Sequence, residues 1–145
     1  MKVRNILATK KGHLITIDAE QPVRNAIAML VENRIGALLV LDSAGKLVGI
    51  LSERDIMRTA ATDEDLFGRP VADIMTREVV VGMPQDDVIA VAHTMLEKRF
   101  RHLPIMDEGE LIGIISIGDV LKIQRDAYRG EVDTLETRII AKGEE

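Results

Sequence analysis

The sequence predicts an α+β protein built from one unit written twice, and two internal matches carry that prediction. Gly49-Ile50-Leu51-Ser52-Glu53-Arg54-Asp55 returns as Gly113-Ile114-Ile115-Ser116-Ile117-Gly118-Asp119, at an offset of 64 residues. Both read Gly, two aliphatics, Ser, two variable positions and Asp. Upstream the offset is 65, where Val23, Ala26, Ile27, Leu30 and Val31 correspond to Val88, Val91, Ala92, Met95 and Leu96. That spacing is one apolar face of a helix, kept in both copies. The odd residue falls in a turn, Asp42-Ser43-Ala44-Gly45-Lys46 against Asp107-Glu108-Gly109-Glu110, where insertions are tolerated. With 46% apolar and 30% charged residues over 145 positions, the chain can bury a core and keep a solvated exterior.

Each copy reads as strand, helix, strand, turn, strand, helix. In the first these are 13–17, 22–33, 37–41, 46–51 and 52–60, with Pro22 suited to a first helical turn because its missing N–H is no loss there. In the second they are 78–82, 85–98, 103–106, 110–115 and 116–128, and Asp107-Glu108-Gly109 has the composition of a hairpin turn. Val3–Leu7 and Val71–Met75 correspond at an offset of 68 and predict a short helical turn opening each copy. The units are then 1–61, a joint at 62–69, 70–123, and a tail at 124–145 in which Val132, Leu135 and Ile139 are spaced for a helical stripe.

These residues resemble tandem cystathionine-beta-synthase (CBS) domains, a pair of which is called a Bateman module. Arg101-His102-Leu103-Pro104-Ile105 and Val71-Ala72-Asp73-Ile74-Met75-Thr76 resemble further family segments, and the likeness spans about residues 3–122. It implies two repeats related by a pseudo-twofold axis with two clefts between them, and a homodimer forming a flat disc. It also implies a regulatory module that binds an adenine nucleotide, AMP first, with ATP, ADP or NAD as further ligands, and needs no obligatory cofactor. S-adenosylmethionine is another family ligand. A ligand-free scaffold recruiting a partner through its C-terminal helix is the alternative.

Ser52 and Ser116 each end an apolar strand and start a helix, where free N–H groups and the positive dipole end favour phosphate. Asp55 and Asp119, three residues on, can accept from ribose hydroxyls. The same Ser-x-x-Asp pattern also describes a capping box that needs no ligand. Gly49 and Gly113 allow either close approach to a ligand or tight strand packing. Lys98-Arg99-Phe100-Arg101-His102 is a basic run at a helix C-terminus, which the resemblance turns toward a polyphosphate; Gly36 and Ala37 hold the matching first-copy positions, so the clefts are expected to be unequal. Arg34, Arg54 and Arg58 are expected at the less basic cleft, and Asp119 rather than Asp55 at the more basic one. The resemblance maps an adenine pocket onto Thr16, Ile17, Asp18, Val80, Val81 and Gly82, closed by Ala37, Leu38 and Pro104.

Other functions find little support. Nineteen basic against 24 acidic residues, a net charge of −5, argue against nucleic acid and anionic membrane as partners. The chain has no phosphate loop, no Gly-x-Gly-x-x-Gly element and no metal-ligand pattern among its three His, so no catalysis is expected. Absence of Cys and of any long apolar run fits a cytoplasmic protein with an unidentified regulated partner.

Overall fold

The computed structural model describes residues 1–10 and 14–128. Most of the predicted tail lies outside the described residues, as does His13. The elements are α1 (Val3–Thr9), β1 (Thr16–Asp18), α2 (Val23–Asn33), β2 (Ala37–Leu41), β3 (Leu47–Ser52), α3 (Glu53–Ala60), α4 (Val88–Lys98), β4 (His102–Asp107), β5 (Glu110–Ser116) and α5 (Ile117–Ala127). Two 3-10 turns, Leu66–Gly68 and Val71–Asp73, lie between α3 and α4.

The first repeat holds a three-stranded sheet in which β1 runs parallel to β2 and β2 antiparallel to β3. In the second, β4 and β5 pair antiparallel. The strand expected at 78–82 is reduced there to one parallel bridge, Gly82 with Ile105. The N–H of Gly82 donates to the Pro104 carbonyl and that of Met106 to the Gly82 carbonyl. Met83-Pro84 follows at once, and proline has no N–H with which to extend a ladder. The hairpin turns follow their residues. Glu108 and Gly109 both have positive φ, 51° and 81°, the conformation of a two-residue type I′ turn. In the longer turn, Asp42 Oδ1 accepts from the N–H groups of Ala44 and Lys46.

Each repeat buries its own core, yet each core is completed by the opening segment of the other. Val3 and Ile6 of α1 are buried with Val88, Val91, Met95, Ile105 and Ile115 of the second repeat. Val71 and Met75 are buried with Ala26, Leu30, Leu38, Val40 and Leu51 of the first. The exchange is symmetric in its hydrogen bonds. Val3 N–H donates to Asp86 O and Val88 N–H to Met1 O, while Val71 N–H donates to Gln21 O and Val23 N–H to Arg69 O.

This exchange accounts for the motif glycines. A Cβ on Gly49 would lie 2.5 Å from the Met75 sulfur, and one on Gly113 would lie 2.7 Å from Leu7 Cδ2. Leu7 and Met75 occupy corresponding positions, so both glycines admit an exchanged side chain. Tight packing, one of the two readings open in the sequence, is realised at both glycines.

Candidate functional site

Both Ser-x-x-Asp motifs fold as capping boxes. Ser52 ends β3, and its Oγ accepts from Asp55 N–H while Asp55 Oδ2 accepts from Ser52 N–H at 2.9 Å. Ser116 and Asp119 repeat the pattern, with Ser116 N–H donating to Asp119 Oδ2 at 2.8 Å. The first N–H of each helix is also taken, Glu53 by the Gly36 carbonyl and Ile117 by the Arg101 carbonyl. The first and third amides of each helix are thus already partnered, and a phosphate there would draw on the cationic side chains around it.

The two carboxylates differ in their remaining partners. Asp55 is 7% exposed, and its Oδ1 accepts from Thr76 Oγ1 at 3.0 Å. Asp119 is more open; its Oδ2 accepts from Lys10 Nζ at 2.9 Å, and the same ammonium donates to the Ile114 carbonyl.

Two clefts open between the repeats. The first, about 490 Å³, joins the start of α3 (Ser52, Glu53, Arg54, Asp55, Arg58) to the approach to α4 (Thr76, Glu78, Val79, Val80) and to Lys98–His102. The second, about 450 Å³, joins Ser116 and Asp119 to Lys10, Leu14 and Ile15 and to Arg34–Ala37. Both lie within the ~300–1,000 Å³ range of small-molecule sites. Among the described residues the first cleft gathers five fixed cations, Arg54, Arg58, Lys98, Arg99 and Arg101, and the second gathers Lys10 and Arg34. Unequal clefts are what the sequence led us to expect.

The pairing of motif and charge differs from expectation. Asp55, not Asp119, shares a cleft with the basic run, and Arg54 and Arg58 join that cleft while Arg34 lies on the other. The repeats face each other, so the β3–α3 corner of one meets the α4–β4 corner of its counterpart. Arg54 shows the crossing directly, donating to the Arg99 carbonyl at 3.2 Å.

Arg99 and Arg34 terminate α4 and α2 in the left-handed conformation, with φ of 58° and 54°. Glycine usually fills that position, because a Cβ there costs roughly 1–2 kcal/mol. At both ends a guanidinium stands at a cleft instead.

The residues singled out in the sequence divide by location. Ser52, Arg54, Asp55, Val80 and Arg101 line the first cleft, Ala37, Ser116 and Asp119 the second, and His102 both. Ile17 and Leu38 are buried in the first repeat's core. Thr16 and Val81 line a third cavity, about 740 Å³, between the two hairpins, with Leu47 and Leu111. Asp18 Oδ1 caps a turn through Glu20 N–H, and Pro104 sits in the β4 ladder. From these two segments the clefts are lined by Leu14 and Ile15 and by Val79 and Val80, of which only Val80 was among the residues expected there. Thr76, which holds Asp55, and Lys10, which holds Asp119, were not read as site residues; the polar residue closing each opening segment was the available signal.

Among the described residues His102 is the one cleft histidine, and burial holds its imidazole below the ordinary range, opposed by Asp119 and Glu53. No group of three or more His, Cys, Asp or Glu able to hold a metal occurs among the described residues.

Two facing α+β repeats with a cleft on either side define a tandem-repeat pair. The chain belongs to the CBS domain family, whose model matches residues 3–62 and 71–126. The CBS domain-containing protein YhcV of Bacillus subtilis is 32% identical over 113 residues, covering 77% of this chain and 79% of that protein. By contrast, the chain spans only 42% of the length of the protein MJ1225 of Methanocaldococcus jannaschii, at 31% identity over 121 residues. A structure of a putative signal-transduction protein with CBS domains from Burkholderia ambifaria superposes with a TM-score of 0.84 at 32% identity, covering 94% of this chain and all of that one. CBSX2 in complex with AMP gives 0.76 at 28% identity, covering 88% and 98%. The CBS domain pair of MJ0100, in complex with 5-methylthioadenosine and S-adenosyl-L-methionine, gives 0.77 at 25% identity with the same coverage.

Proposed function

We propose that this chain is a non-catalytic regulatory module that binds an adenine nucleotide, AMP foremost and ATP, ADP or NAD as further ligands, in the clefts between its repeats. The observation carrying this reading is the first cleft's composition, in which five cations outnumber the carboxylates of Glu53, Asp55 and Glu78 and stand with the aliphatic Val79, Val80 and Ile50. Cations answer a phosphate, and aliphatic side chains can cover a base in a chain with only 2% aromatic residues. Two structural relatives hold adenosine-containing ligands, one of them AMP. Ligand binding favours one relative arrangement of the repeats, and that arrangement is what a regulated partner reads.

A homodimer fits the same reading. Val31 and Met57 in the first repeat and Leu96 and Leu121 in the second occupy corresponding positions and are all strongly exposed. An apolar face repeated under the pseudo-twofold axis suits a symmetric contact with a second copy.

Thermal unfolding against AMP, ADP, ATP, NAD and S-adenosylmethionine tests the proposal. A ligand at ~100 times its dissociation constant adds about 2.7 kcal/mol to the native state. We expect a rise with AMP that Asp55→Ala abolishes. The scaffold reading draws on the capping boxes, which close without any ligand; it takes over if no adenosine compound raises Tm.

A further inference from the structure

We propose that His102 is a titrating wall shared by the two clefts, through which a phosphate-bearing ligand in one tightens the hold of the other on a second such ligand. This rests on the nucleotide reading above for the identity of the ligand. The geometry comes from the imbalance between repeats. His102 and Gly36 line both cavities. In β4, His102 stands opposite Ser116, the cap residue of the second cleft. Its ring reaches back toward the first, where a Cβ on Gly36 would lie 3.4 Å from Cε1 and 2.9 Å from Glu53 Oε1. The counterparts of Arg101 and His102 are Gly36 and Ala37, so the imidazole occupies room that small residues leave.

The charged groups facing the ring come from each neighbouring element. They are Glu53 of α3 on the first cleft, Asp119 of α5 on the second, Lys10 beyond α1, and the adjacent Arg101. One carboxylate thus belongs to each cleft. Burial keeps the ring neutral at pH 7, and a phosphate entering either side favours its charged form. The ring then takes a proton from solvent on its free nitrogen. A second anion meets an imidazolium already formed, and by linkage the effect is reciprocal.

The test is an NMR titration of the His102 ring in the full chain, free, with AMP and with inorganic pyrophosphate, beside calorimetry in two buffers of different ionisation enthalpy. We expect both ligands to raise the ring's midpoint. AMP binding should take up a fraction of a proton at pH 7, and the second AMP should bind a few-fold tighter than the first at pH 6.5. His102→Gln should remove the uptake and make the two steps independent. Glu53→Gln, which keeps the imidazole, should lower the midpoint of the free protein. Binding of AMP with an unmoved midpoint and no proton exchange overturns the coupling and leaves the nucleotide reading standing. Absence of AMP binding overturns that reading instead; the pyrophosphate midpoint then decides, rising if phosphate is sensed through His102 and unmoved if the coupling is wrong.

Discussion

Asp55 shows how one carboxylate serves both packing and a site. Its two oxygens hold Ser52 at the helix start and Thr76 from the opening segment of the other repeat. Asp55→Ala leaves these donors unpaired in a nearly buried position, at a cost of about 1–3 kcal/mol each when desolvated. Urea unfolding should therefore show a larger loss for Asp55→Ala than for Asp119→Ala, whose lysine partner is a third exposed. Nucleotide affinity in the basic cleft should fall with Asp55→Ala, the reverse of the assignment that the sequence suggested. Arg99 offers the opposite trade. Arg99→Gly relieves a left-handed Cβ and should stabilise the fold by about 1 kcal/mol while weakening phosphate binding, read as a higher Tm without ligand and a smaller ligand shift. His102 contributes a pH dependence of definite sign. Its folded value lies below the 6.5 of the free side chain, so the unfolded chain binds the proton first as pH falls. Stability is complete above about pH 6.5 and declines below it until the folded value is passed. Chemical unfolding at pH 8 and pH 5.5 should show this decline, and His102→Gln should reduce it.

The glycines of the repeated motif matter first as packing positions in β3 and β5, although Gly113 also lines the second cleft. Gly49→Ala sets a methyl against Met75 and Gly113→Ala sets one against Leu7, each overpacking by about 1–3 kcal/mol. Ile6→Ala should cost about 2–5 kcal/mol, because its cavity opens in the second repeat's core. Hydrogen exchange should show the loss around α4 and β5, not around α2. Much of the element order could be read directly. Periodicity located α2 and α4, and the shared Ser-x-x-Asp placed the corners that begin α3 and α5. The missing second-repeat strand could not be read, since Glu78–Gly82 has the same aliphatic character as a paired strand and only the proline after Met83 argues against it. Nor could the exchange. Val3–Leu7 precedes its own repeat in the chain, and only tertiary contact reveals that it belongs to the other core. That same exchange explains why the motifs and basic run were legible while their pairing was not: residue order says nothing of which corner faces which.

Across the whole molecule, one sequence unit gives two sites of different character because a few positions depart from the repeat. Gly36 and Ala37 against Arg101 and His102 concentrate charge on one side of a protein whose net charge is −5. Double substitution of Val31 and Leu96 to Asp should leave the monomer folded and shift sedimentation toward it, the outcome expected if the exposed repeated face joins two copies. The exchanged opening segments have a further consequence during synthesis. α1 leaves the ribosome before the elements it packs on, and the core that buries Val3 and Ile6 is complete only after β5 has formed, more than a hundred residues later. Until then the apolar side of α1 has no native seat within its own chain. A neighbouring chain whose second repeat is finished offers an equivalent seat, with the same Asp86 carbonyl to accept from Val3 N–H and the same Val88 N–H to donate to the Met1 carbonyl. Crowded translation or refolding at high concentration should therefore yield intertwined dimers by segment swapping, while dilution favours chains that close on themselves.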